Sequence, residues 1–88
     1  MKYMVTVMDT FPEQNTRGCI METPRRSFGL TLVQAGRVCR RACKRGARMY
    51  GGVVQNLPWG MDTQGDNSRA MLVRPVRYAT ITVDPGRK

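Results

Sequence analysis

The stretch Thr31–Tyr50, TLVQAGRVCRRACKRGARMY, decides how this chain folds. Placed at about 100° per residue, Leu32, Ala35, Gly36, Cys39, Ala42, Cys43, Gly46, Met49 and Tyr50 fall on one side, in the i, i+3, i+4, i+7 spacing of an amphipathic helix. Arg37, Arg40, Arg41, Lys44, Arg45 and Arg48 fall on the other, within an arc of about 140°. The boundaries are encoded as well. Thr31 followed by Gln34 forms the S/T-x-x-E/Q capping box, and Gly51-Gly52 supplies residues that accept the left-handed conformation in which helices commonly end. Arg45 and Arg48 lie near the negative pole of the helix dipole, where cations are favoured.

Both faces of this helix cost stability, and each cost predicts a compensation. The six cations form seven like-charge pairs at i, i+3 or i, i+4. Each pair is unfavourable by about 0.2–0.5 kcal/mol. No Asp or Glu occurs from Thr23 through Met61, so an intramolecular partner must come from Asp9, Glu13, Glu22, Asp62, Asp66 or Asp84. A cationic array so concentrated and so far from acids is expected to meet a polyanion. Gly36 and Gly46 each cost about 1 kcal/mol against Ala in a helix interior. Both sit on the packing face, so close approach to a sheet or another helix is expected at both.

Working outward, Lys2–Asp9 alternates Tyr3, Val5 and Val7 with Met4, Thr6 and Met8, the pattern of a strand buried on both sides or nearly so. Thr10–Gly18 has turn chemistry around Pro12 and Asn15, and Cys19–Thr23 reads as a short return strand. Pro24 breaks the pairing, and Arg25–Leu30 leads into the helix, with a brief edge strand as one reading of it and Phe28 available to lie under the helix start. After the glycine stop, Val53–Leu57 reads as a third strand or an extended return, and Pro58-Trp59-Gly60 as a turn. Met61–Ser68 reads as a polar loop. Arg69–Val83 is β-prone but interrupted by Pro75, which has no ladder donor and implies a bulge, an edge or two strands. The expected fold is α+β, a small antiparallel sheet in β-β-α-β-β order with one amphipathic helix packed on one face.

The chain has 88 residues, which suits a single small basic domain spanning residues 1–88 whose core only just outweighs chain entropy. Fifteen Lys and Arg against six Asp and Glu leave a formal net charge of +9, and twelve of the fifteen cations are Arg. The planar guanidinium fork matches phosphate and carboxylate better than an ammonium does. Three cysteines are too few and too odd in number for a disulfide framework. Cys39 and Cys43 are expected to be small buried hydrophobes. The apolar run at the N-terminus is too short for a signal peptide, and none is long enough to cross a bilayer, so a cytoplasmic protein is expected.

Catalysis is not expected. There is no His, and no phosphate-binding glycine loop, G-x-S-x-G element or metal-binding cluster occurs. No cofactor or metal is therefore expected. Asp62 and Asp66 share one loop, but turn solvation accounts for both. The remaining chemistry is binding. A helix lined by Arg37, Arg40, Arg41, Lys44, Arg45 and Arg48 suits phosphates along a nucleic-acid groove, free or in a ribonucleoprotein. Without Asn or Gln among the cations, contacts to the backbone rather than to base edges are expected. The cluster resembles arginine-rich RNA-binding helices, a resemblance too general to name a family. Trp59 is a possible aromatic anchor, with a lid over the apolar core as the favoured alternative. In size and lack of catalytic equipment the chain also resembles small phage-type inhibitors of host nucleic-acid machinery, such as those of RNA-guided nuclease complexes. That resemblance implies docking on an acidic protein surface instead. A membrane-surface helix is disfavoured, because Ala, Gly and Cys are too small to anchor in lipid.

Overall fold

The computed structural model describes residues 1–12, 19–21, 24–64 and 74–86. Its elements run β1 (Tyr3–Pro12), β2 (Cys19–Met21), β3 (Arg25–Leu30), α1 (Leu32–Tyr50), β4 (Gln55–Leu57), β5 (Gly60–Asp62) and β6 (Val76–Val83). Every pairing is antiparallel. The class is α+β as expected, but the order β-β-β-α-β-β-β has two more strands than the sequence suggests.

The first extra strand follows from the length of β1. Its ten residues extend two past Thr10, so the expected turn begins later, and β2 pairs only with Thr10–Pro12. The rest of that edge would expose unpaired backbone groups, a liability in any sheet. Arg25–Leu30 fills it, pairing with Tyr3–Val7 through a register shift between Tyr3 and Val5. The second extra strand is β5. It has only three residues and no legible alternation, and it is held by Met61 opposite Ala79 and Asp62 opposite Tyr78. A turn at Pro58-Trp59 joins it to β4, with Gly60 at φ +150° where a Cβ would lie 2.1 Å from the Ala79 carbonyl oxygen.

The sheet order is β2-β1-β6-β5-β4, with β3 beside β2 on the free edge of β1. Central strands β1 and β6 pair from Tyr3–Val83 to Thr10–Val76. This register puts Val5, Val7, Ala79 and Ile81 on one face, over which α1 lies. Val5, Ala35, Cys39, Cys43 and Ala79 form the core, flanked by Tyr3, Val7, Leu30, Val38, Val54, Met61 and Ile81. Leu30 of β3 packs against this core just ahead of the helix start.

The helix ends are formed as expected. Thr31 Oγ1 accepts from the Gln34 amide at 3.2 Å while Gln34 Oε1 accepts from the Thr31 amide at 3.0 Å. Gly51 closes the helix at φ +72°, ψ +22°, and the Gly52 amide donates to the Ala47 carbonyl at 3.1 Å. The buried stripe is narrower than the sequence implies. Ala35, Cys39, Cys43 and Gly46 are buried, whereas Leu32 and Met49 remain 56% and 53% exposed. Those two lie at the first and last turns of α1.

The two helix glycines separate. A Cβ at Gly46 would lie 2.9 Å from Arg77 Cβ and 3.0 Å from Thr63 Cγ2, so the expected close approach is real there. At Gly36 nothing lies within 4 Å, and the expectation fails. Gly46→Leu should destabilise by about 1–3 kcal/mol through overpacking, even though it raises helix propensity. Equilibrium urea unfolding checks this, and an unchanged midpoint would contradict the packing described.

Candidate nucleic-acid interface

All six predicted cations are exposed on α1. Their side chains surround a single open recess of about 370 Å³ lined by Arg37, Arg40, Arg41, Lys44, Arg45 and Arg48. None of the six is ion-paired with a carboxylate among the described residues. The helix rises about 1.5 Å per residue, so this array spans most of a rod about 28 Å long. Sequence reasoning missed one further cation. Arg25 on β3 shares a second recess, about 270 Å³, with Arg41 and Arg45. Its signal was the Arg25-Arg26 pair ahead of the helix, legible only once β3 is known to pair on the edge of β1 and bring Arg25 beside α1.

What holds the array rigid is a buried network that the sequence did not announce. The Arg77 guanidinium donates from Nε to Asp9 Oδ1 at 2.7 Å and from Nη2 to Asp9 Oδ2 at 3.0 Å. Its Nη1 donates to the Ala42 carbonyl of α1 at 3.1 Å. Tyr50 Oη, at the last turn of α1, donates to Asp9 Oδ2 at 2.6 Å, and its ring meets Phe11 edge-on with centroids 5.9 Å apart. Both side chains of the ion pair are nearly buried, at 6% and 5% exposure. Thus β1 and β6 grip the middle and end of the helix through one bidentate pair, which leaves the cations pointing outward.

The electrostatics of the network are consistent with this geometry. Burial alone would raise the Asp9 carboxyl, but the hydrogen bonds from Arg77 and Tyr50, with the charges of Arg77 and Arg25, hold it below its ordinary value. Burial and the bond to Asp9 push the Tyr50 phenol up. The Asp9 bond raises Arg77 further, against burial. Asp9 therefore neutralises Arg77 and not the helix face.

Candidate nucleophiles lead nowhere near the recess. Cys39 and Cys43 are buried free thiols; burial raises both, and Cys43 is pushed up to about 12 by burial and by its neighbour Cys39. A thiol so placed is inert. Iodoacetamide should therefore label neither Cys39 nor Cys43 in native protein and both after unfolding, as read by peptide mass spectrometry; rapid native labelling would reverse the helix orientation. The expected polar loop is corrected in its first half. Asp62, Thr63 and Gln64 are buried, with Thr63 Oγ1 accepting from the Arg77 amide at 3.0 Å and Asp62 Oδ1 accepting from the Gln64 amide at 3.2 Å. Asp66 lies outside the described residues, so its proposed neighbourhood with Asp62 does too. Among the described residues no group of three or more Asp, Glu, Cys or His is placed to hold a metal.

Trp59 sits at the β4–β5 turn, 49% exposed and outside the core cluster. Half-exposed, it borders a groove that the core residue Cys39 and the flanking Ile81 also line, so it covers the core from one side without sealing it. The groove, about 340 Å³, lies beside α1, and Trp59 also borders a smaller recess on the outer sheet face. No helix of the described residues is long and apolar enough to cross a membrane. Comparison of the chain with protein-family models, curated proteins and solved structures returned no match.

Proposed function

We propose that this protein is a non-catalytic cytoplasmic module that binds the phosphate backbone of nucleic acid, free or within a ribonucleoprotein, through one face of α1. The observation that supports this is the convergence of Arg37, Arg40, Arg41, Lys44, Arg45 and Arg48 on one open recess, with no carboxylate paired to any of them among the described residues. Six cations held at helical spacing on a braced rod repel one another in the free protein. Phosphates relieve that repulsion and release their own counterions, which makes association favourable and salt-dependent. Arg25 extends the same surface toward β3. The face has no interleaved amides, so backbone contacts dominate and sequence preference is weak.

A second reading rests on Trp59. A half-exposed indole beside a basic helix also suits a protein partner with an acidic surface, where one aromatic anchor often dominates the binding energy. The salt dependence of binding separates the two. Binding to duplex DNA or RNA whose log affinity falls steeply with log salt supports the phosphate reading. Negligible affinity for both at low salt, with capture of a protein partner that survives nuclease treatment, would replace it.

A further inference from the structure

The groove between α1 and the β4–β5 hairpin is open because Gly36 has no side chain and, among the described residues, no other atom beyond the adjoining helix backbone lies within 4 Å of where its Cβ would be. A glycine there lowers helix propensity without permitting any close contact in the free protein. The space it leaves, about 340 Å³, is lined by Gly36, Arg40, Asn56 and Trp59 among others, with Met61 and Ile81 from the core side. That volume lies within the range of small-molecule sites, roughly 300–1,000 Å³, and joins an apolar floor to a few polar groups. Arg40 lines both this groove and the cationic recess. Asn56 is exposed on β4, and its side-chain amide can serve a base edge as donor and acceptor.

From this juxtaposition we infer that the protein binds single-stranded nucleic acid, seating one unpaired base in the groove at Gly36 against the Trp59 indole while the adjoining phosphates lie along the helix cations. The inference rests on the phosphate reading above and narrows its substrate. A base inside a duplex is stacked and cannot enter, whereas an unpaired base presents a face for stacking and an edge for Asn56. Arg40, which borders both the groove and the cationic recess, is placed to meet a phosphate next to the seated base.

Trp59 is the only tryptophan in the chain, so its fluorescence reports the groove directly. Oligo(dT) added to the wild-type protein should quench that fluorescence. Inorganic polyphosphate should bind in competition with it and leave the emission unchanged. Gly36→Leu fills the groove from a position with room for a side chain, so the variant should fold. Its affinity for oligo(dT) should fall on the order of tenfold, with duplex affinity retained, and Trp59→Ala should shrink the single-strand preference by a similar factor. If oligo(dT) binds without quenching and both variants keep the wild-type ratio of single-strand to duplex affinity, the groove inference fails and the phosphate reading stands. If oligo(dT), duplex and polyphosphate all fail to bind, both fail, and Trp59-dependent capture of an acidic protein would then identify the groove as a protein site.

Discussion

Asp9→Ala should cost about 3–5 kcal/mol of folding stability, because it strands the buried Arg77 guanidinium without its counter-charge. A chain of this size has a total of only about 4–13 kcal/mol, at roughly 0.05–0.15 kcal/mol per residue. The variant should therefore melt more than about 12 °C below wild type, at roughly 4–8 °C per kcal/mol for a domain of this length. Three bonds fail together: two from Arg77 and one from Tyr50. Tyr50→Phe removes only the last and should cost about 1.5–3 kcal/mol, the range for a hydrogen bond to a charged group. Replacing the pair by apolar residues of similar size, Asp9→Leu with Arg77→Met, should recover much of the loss, since the penalty lies in the unpaired charge. An Asp9→Ala melting temperature within 2–3 °C of wild type would show that the network does not fix the helix on the sheet.

The same carboxyl predicts an acid limb. Its folded-state pKa lies below its unfolded value of 3.8, so the stabilisation is fully present above that value and is lost as pH falls through the lower folded value. At neutral pH it is complete. Asp9→Asn, with no proton to gain, should flatten that part of the stability–pH curve measured by urea unfolding.

How much of this was legible follows from where each signal resides. The helix was written locally: Thr31 and Gln34 cap each other within one turn, Gly51 stops the last turn, and period and charge agree in between. The exposure of the six cations on one helix face was legible for the same reason, being fixed by one element. The ion pair joins residues 68 positions apart, and nothing in the alternation of β6 distinguished Arg77 from a solvated arginine. Only the register of β1 on β6, Asp9 opposite Arg77, turns both toward the helix. The glycines make the same point. Gly36 and Gly46 share one helix face, yet β6 and Thr63 press on Gly46 while Gly36 overhangs a groove beside the β4–β5 hairpin. Helical periodicity places a residue on a face, and the partner element decides whether that face is covered. Strand β5 was not legible, and β3 only as a brief edge strand left out of the expected order, for a related reason: short edge pairing is set by what the neighbouring strand leaves open.

Arg40→Glu/Arg41→Glu/Lys44→Glu should remove nucleic-acid binding while leaving the protein folded. For wild type on duplex DNA, four or five engaged cations give a log affinity against log salt slope of roughly −4 to −5, at about −0.9 per phosphate neutralised. Each lost contact takes about one unit from the slope, so the triple variant should retain a slope of only about −1 to −2 and lose on the order of 100-fold or more in affinity at physiological salt. The fold should survive because the substitutions face solvent and replace like-charge neighbours with opposite ones. Arg41 borders both recesses and Arg40 borders both the main recess and the groove, so the triple variant disrupts duplex and single-strand binding together. Gly36→Leu alters the groove alone. A triple variant that folds and still binds every wild-type ligand equally well at physiological salt would reduce the stripe to a solvated face, and the proposed function would lose its principal support.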